Sequence, residues 1–180
     1  TNGKNELFIR MKLKWQPIND FTVLFTNLNI EMNNKYDAWA PDNNENLITY
    51  SNNQGEDSQK TNANALNINF PQFFGLNSEY VYSHSQSDLI HSYDGDWGND
   101  SLWLHHYGFD PDIEGWNYDF FDKTNRNKEI TTNQIRLNSG ENINLPLNGK
   151  FILGFYSSKT EQSDNAEGWL FGGDATSLHS

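Results

Sequence analysis

Between Glu6 and Trp15 the chain reads ELFIRMKLKW, and Leu7, Ile9, Met11, Leu13 and Trp15 take every second place. An apolar residue at every second position is the period of a pleated strand, whose side chains point alternately to its two faces. FTVLFTNLNIEM repeats the pattern with Leu24, Leu28, Ile30 and Met32. NALNINF does so with Leu66, Ile68 and Phe70 set against Asn67 and Asn69. SEYVYSH, SLWLHHY, WNYDFF, NQIRLN, ENINL and KFILGFY have strand-like lengths with aromatic or β-branched content. Turn-forming clusters separate them, among them APDNNEN, SNNQGEDSQ, GFDPD and LNSGEN.

No window carries an apolar stripe at helical spacing across three turns, and FPQFFGLNSE is the place where one short helical turn is expected. Many short strands with polar turns predict an all-β fold. The expected form is a single domain over residues 1–180, an antiparallel β-sandwich of jelly-roll type with long polar loops. A barrel is the alternative way to close the sheet. The polar stretch Asp42–Asn64 is read as a long loop around a short LITY strand.

Composition bounds what such a domain does. Only 35% of residues are hydrophobic and the mean hydropathy is −0.82, yet 14% are aromatic, with 6 Trp, 8 Tyr and 12 Phe. Each buried ring removes about 150–250 Å² from water, so an aromatic core is expected, with Trp15 and Trp103 in it. The net charge is −12. A surface of that sign repels phosphate backbones and anionic lipid, so neither nucleic acid nor membrane insertion is expected, and no apolar run has the length of a membrane helix. Glycans, cations and protein partners remain open. The absence of cysteine removes disulfides and thiolate chemistry. Asn is the commonest residue, from compositional bias or as a surface of amide donors and acceptors suited to hydroxyl groups. The chain opens TNGKNELF, without Met, and is read as a piece of something longer.

The run YDGDWGNDSLWLHHYGFDPDIEGWNYDFF, residues 93 to 121, concentrates acidic, indole and imidazole groups. Asp94, Asp96, Asn99 and Asp100 stand around Gly95 and Gly98, a spacing that supplies oxygen ligands on a hinged loop. Asp110, Asp112, Glu114 and Gly115 match the opening of a calcium loop of EF-hand type, but Phe121 stands where its last carboxylate belongs. Asp94, Asp96, Asp100, Asp110, Asp112 and Glu114 are therefore candidate calcium ligands, with Asp119 in support. The competing reading is a set of solvated turns whose carboxylates bond nearby amides.

Trp97 and Trp116 border loops, as do Trp39 and Trp169. Indole faces stack on sugar C–H faces while Asp and Asn bond hydroxyls. Trp97, Trp116, Asp94, Asp96, Asn99, Asp100, His106, Tyr107 and Asn117 form the candidate ligand-binding set; loop tryptophans that cap a sandwich are the plainer explanation. His84, His91, His105 and His106 match no metal signature, and the last two, as strand neighbours, would point apart.

A glycosidase needs a carboxylate pair in a cleft, whereas the acidic residues here cluster in hydrated turns. The expected function is thus a noncatalytic carbohydrate-binding module of lectin or adhesin type at the cell surface or outside it. A structural or protein-interaction domain of an appendage or capsid is the second possibility and a glycoside-processing enzyme the third.

Overall fold

The computed structural model describes residues 3–36, 39–115, 119–140, 149–170 and 173–174. Six long antiparallel strands dominate it: β1 (Glu6–Ile18), β2 (Phe21–Tyr36), β3 (Gly55–Phe73), β4 (Leu76–Asp94), β5 (Phe120–Ser139) and β6 (Ile152–Leu170). A two-residue β7 (Gly173–Asp174) pairs antiparallel with the end of β6, and two helices, α1 (Asp100–Tyr107) and α2 (Pro111–Glu114), lie between β4 and β5. The all-β expectation holds. The described strands form one open sheet whose spatial order follows chain order, so each strand pairs with its neighbours in sequence.

The strands are longer than their local patterns imply, at 13 to 20 residues against the usual three to ten or so. GEDSQKTNA joins NALNINF in β3, and DKTNRNKEITT joins NQIRLN in β5. Polar residues on both faces do not end a strand whose backbone is paired on each side. The stretch read as a loop to Asn64 is therefore strand from Gly55 onward, and LITY forms no strand. FPQFFGLNSE is a hairpin, not a helical turn. Phe74 (φ 49°) and Gly75 (φ 76°) both take the left-handed conformation, which gives a two-residue turn the twist of the strands it joins.

Register places specific side chains side by side. On one face Trp15, Val23, Ile68, Tyr80, Ile135 and Phe155 are successive cross-strand partners, an apolar row that spans all six long strands. Leu13, Phe25, Leu66 and Tyr82 form the row above it. Below it, toward the short turns, Leu137 pairs with Leu153 and Phe70 packs against Phe21, itself edge-on to Trp15. The same face turns polar nearer the long loops, where Asn27, Asn64, His84, Thr131 and Lys159 make the next row. Two direct cross-strand pairs there, Asn27 with Asn64 and Asn29 with Asn62, set four amides in a square. Asn27 donates to Asn64 (2.9 Å), Asn64 to Asn62 (2.9 Å), Asn62 to Asn29 (2.6 Å) and Asn29 to Asn27 (2.6 Å), which closes a ring. Part of the unusual Asn content thus satisfies itself within the sheet.

The opposite face is mixed: β2 places Leu24, Leu28, Ile30 and Met32 on it, opposite Lys14, Arg10, Phe8 and Glu6 of β1. Thr26, Ala65, Ser83, Thr132 and Ser158 form one row, and the ion pairs Arg136–Glu79 (3.3 Å) and Arg126–Asp164 (2.8 Å) bridge neighbouring strands.

An aromatic core is not what the apolar residues build. Trp15 is 58% exposed, and Leu7, Ile9, Met11, Leu13, Leu153 and Phe155 are exposed with it. Leu102 is the one buried large hydrophobic residue among those described, whereas Asn34, Ser92, Asp94 and Asp96 are buried. These buried residues lie at the long-loop end, and most of them are polar.

Candidate functional site

At that end residues 39–54 and 95–115 fold over the tops of β4 and β5. β4 delivers Asp94, and the ladder continues one step as Gly95 N–H donates to Phe120 O (2.9 Å). A side chain on Gly95 would meet Phe120 Cβ at 3.0 Å, so the close pairing there favours glycine. The chain then turns through Trp97, at φ 54°, and Gly98 into α1. Asn99 caps the helix: its side-chain oxygen accepts from Leu102 N–H (2.9 Å) while its amide donates to Tyr50 O (2.8 Å). Gly108, at φ 72°, ends it in a left-handed cap. Asp100 in the first turn and His105 and His106 in the last complement the helix dipole.

SLWLHHY is thus a helix and not a strand, because the Asn99 and Gly108 caps and the lid it forms outweigh its local β character. Trp103, expected in a core, lies on α1 and donates from Nε1 to Asp96 Oδ2 (2.7 Å). A Cβ on Gly98 would stand 2.5 Å from that indole nitrogen, so glycine at 98 is what lets Trp103 reach the carboxylate.

Three carboxylates converge under this lid. Asp94, Asp96 and Asp119 each bring one oxygen within 4.8 Å of the other two. Asp94 and Asp96 are both 3% exposed. Asp94 Oδ2 accepts from Asn52 N–H (3.0 Å) and Asn53 N–H (3.5 Å). Asp96 Oδ1 accepts from Phe120 N–H (3.3 Å), and Asp119 Oδ1 accepts from the Asn53 side-chain amide (3.2 Å). Burial, with the Asp96 carboxylate facing it, pushes the Asp94 carboxyl up to about 8, against the donated amide bonds of Asn52 and Asn53.

The other candidates are dispersed. Asp100 is exposed on α1. Asp110 accepts from Asp112 N–H (3.0 Å) and so starts α2, while Asp112 and Glu114 point to solvent. His106 and Tyr107 are exposed on α1, their rings 4.8 Å apart, and Tyr107 also lies 4.9 Å from Trp103. Trp97 is 41% exposed and tilts over Trp39 with ring centroids 6.0 Å apart. Trp116 and Asn117 lie outside the described residues. His84 and His91 sit on opposite faces of β4, and His105 and His106 sit on α1, so the histidines do not gather.

Of the six carboxylates proposed from sequence, two meet in one site, and their third partner is Asp119. The sign of it in the sequence was the hairpin register: β4 and β5 pair Asp94 with Phe121, which sets the residues just before β5 against those just after β4.

No known protein-family model matches the chain, and no curated protein is similar to it.

Proposed function

We propose that this sheet is part of the wall of a transmembrane β-barrel, its apolar belt against lipid and the face with the row Thr26, Ala65, Ser83, Thr132 and Ser158 toward the lumen. The row Trp15, Val23, Ile68, Tyr80, Ile135 and Phe155 carries this reading: an unbroken apolar band across six strands, with Trp15 and Phe155 well exposed at its two ends. Membrane barrels alternate apolar-out and polar-in along tilted antiparallel strands, with short turns at one rim and long loops at the other.

Four features support it. Strands joined in simple sequence order are those of an up-and-down barrel, whereas a jelly roll needs connections that cross between sheets. Two of the three connections at one rim are the two-residue turns 19–20 and 74–75, the third being the longer link from Ser139 to Ile152, and the other rim carries residues 39–54 and 95–115. Aromatic rings, Trp15, Phe21, Phe70, Phe73 and Phe74, gather at the short-turn rim, where membrane barrels place a girdle. The upper edge of the belt also descends from Leu7 on β1 to Phe155 on β6, as it must when strands tilt from the membrane normal.

Six long strands are too few to close, so both edges would be completed by strands from outside the described sheet. The sequence alone predicts no membrane insertion, and no described helix is long and apolar enough to cross a membrane; the barrel reading departs from that expectation because a spanning strand needs only every second residue to be apolar.

Because the chain has no cysteine, single cysteines report without background. Ile68→Cys and Ala65→Cys, on opposite faces, are labelled with a polarity-sensitive dye in the full-length protein and mixed with vesicles of brominated phosphatidylcholine. Quenching at 68 but not at 65 is expected. Equal, unquenched emission from a protein that stays in the aqueous phase would sink the barrel reading.

A second reading concerns the long-loop end, where the exposed pair Trp39–Trp97 presents two indole faces beside Asp and Asn. This arrangement favours contact with a glycan, the indoles stacking on sugar rings. Affinity electrophoresis through soluble polysaccharides should show retardation that Trp97→Ala removes; unaltered mobility in every polysaccharide would refute it.

A further inference from the structure

Among the described residues, Asp94 Oδ1 is the one buried side-chain polar atom with no hydrogen-bond partner. An orphaned acceptor in the interior costs about 1–3 kcal/mol, and more when charged, so buried groups of this kind persist where something else meets them. The surrounding groups define what that something is. Asp94 Oδ2 is taken by two backbone amides and both oxygens of Asp96 by Trp103 and Phe120. Neither Asp94 nor Asp96 is ion-paired with a lysine or arginine among the described residues. The orphan oxygen therefore belongs to a carboxyl that faces a second buried carboxylate, with a third within reach.

We propose that Asp94, Asp96 and Asp119 hold a hard divalent cation that clamps both long loops to the end of the sheet. Carboxylate oxygens alone, with no imidazole or thiolate in the group, are the donors that calcium and magnesium prefer. The cation would supply the partner that Asp94 Oδ1 lacks and remove the repulsion among the three carboxylates. Its ligands come from the end of β4 and from both ends of the segment 95–119. Asn52 and Asn53 tie the segment 39–54 to the same carboxylates. One ion thus holds together the loops that carry Trp39 and Trp97. The proposal stands whether or not the belt meets lipid, since every ligand lies at the long-loop end.

The test uses the full-length protein and terbium(III) as probe. Trp103 bonds directly to Asp96, so an ion at this site lies close enough to an indole for sensitised emission. Excitation of the indoles is expected to light terbium, and calcium to displace it. Asp94→Asn and Asp119→Asn should each weaken terbium binding by about tenfold or more, while Asp112→Asn leaves it unchanged. No sensitised emission, or emission undiminished in both the Asp94 and Asp119 variants, overturns the site. Should those variants fail to fold, melting of the wild type decides. A higher melting temperature in calcium or magnesium than in chelator supports the clamp, and identical melting overturns it.

Discussion

Ile68→Arg is expected to cost about 2–4 kcal/mol of stability in a bilayer, the loss typical of a cation at the midplane on the lipid face of a barrel. Ile68 stands at the centre of the belt, between Val23 and Tyr80. Ala65→Arg, on the opposite face among Thr26 and Ser83, should fold with little loss because a lumen hydrates the guanidinium. Leu153→Arg, one row nearer the short turns, should cost less than Ile68→Arg, since the penalty fades toward the interface. Denaturant unfolding from vesicles measures all three. Three equal losses would contradict a lipid-facing belt, as would a wild type that folds in water without lipid or detergent.

In chelator, stability should fall by a few kcal/mol as pH rises from about 4 to about 8. The sign follows from Asp94. In the folded protein its carboxyl, held up to about 8, stays protonated through this range, whereas in the unfolded chain it ionises at its ordinary value of 3.8. The folded state then holds the extra proton, so raising the pH favours unfolding. Asp94→Asn keeps the shape and the acceptor for Asn52 and Asn53 without the charge, and should flatten the profile while raising stability at pH 8. Calcium at saturation should flatten it as well, by stabilising the ionised form. Melting temperatures across this range, in chelator and in calcium, provide the check; a wild-type profile already flat in chelator would remove the basis for both effects.

These effects rest on features of unequal visibility in the sequence. The strands of the sheet were legible from their alternation, because the pleat imposes a period of two on each strand by itself. Helix α1 was not. Its caps, Asn99 and Gly108, are present in the sequence, but the aromatic content of SLWLHHY reads equally well as strand, and its fold depends on Trp103 reaching Asp96 from above. The cluster of carboxylates was half legible. Asp94 and Asp96 were marked by their spacing, while Asp100, nearer to them in the chain than Asp119, faces solvent at a helix N-terminus. The exposed Trp39–Trp97 pair joins residues from two separate loops, and no local pattern linked them.

Local sequence determined the apolar alternation within the strands and which of those residues share a face, because the pleat sets both one residue at a time. Tertiary structure decided that the strands line up in chain order as one sheet, that one unbroken apolar row crosses all six long strands, and that Asp119 joins Asp94 and Asp96. These depend on register between segments tens of residues apart. A face turned to a protein core and a face turned to lipid demand the same alternation, so the period that revealed the strands carried no mark of what would cover them.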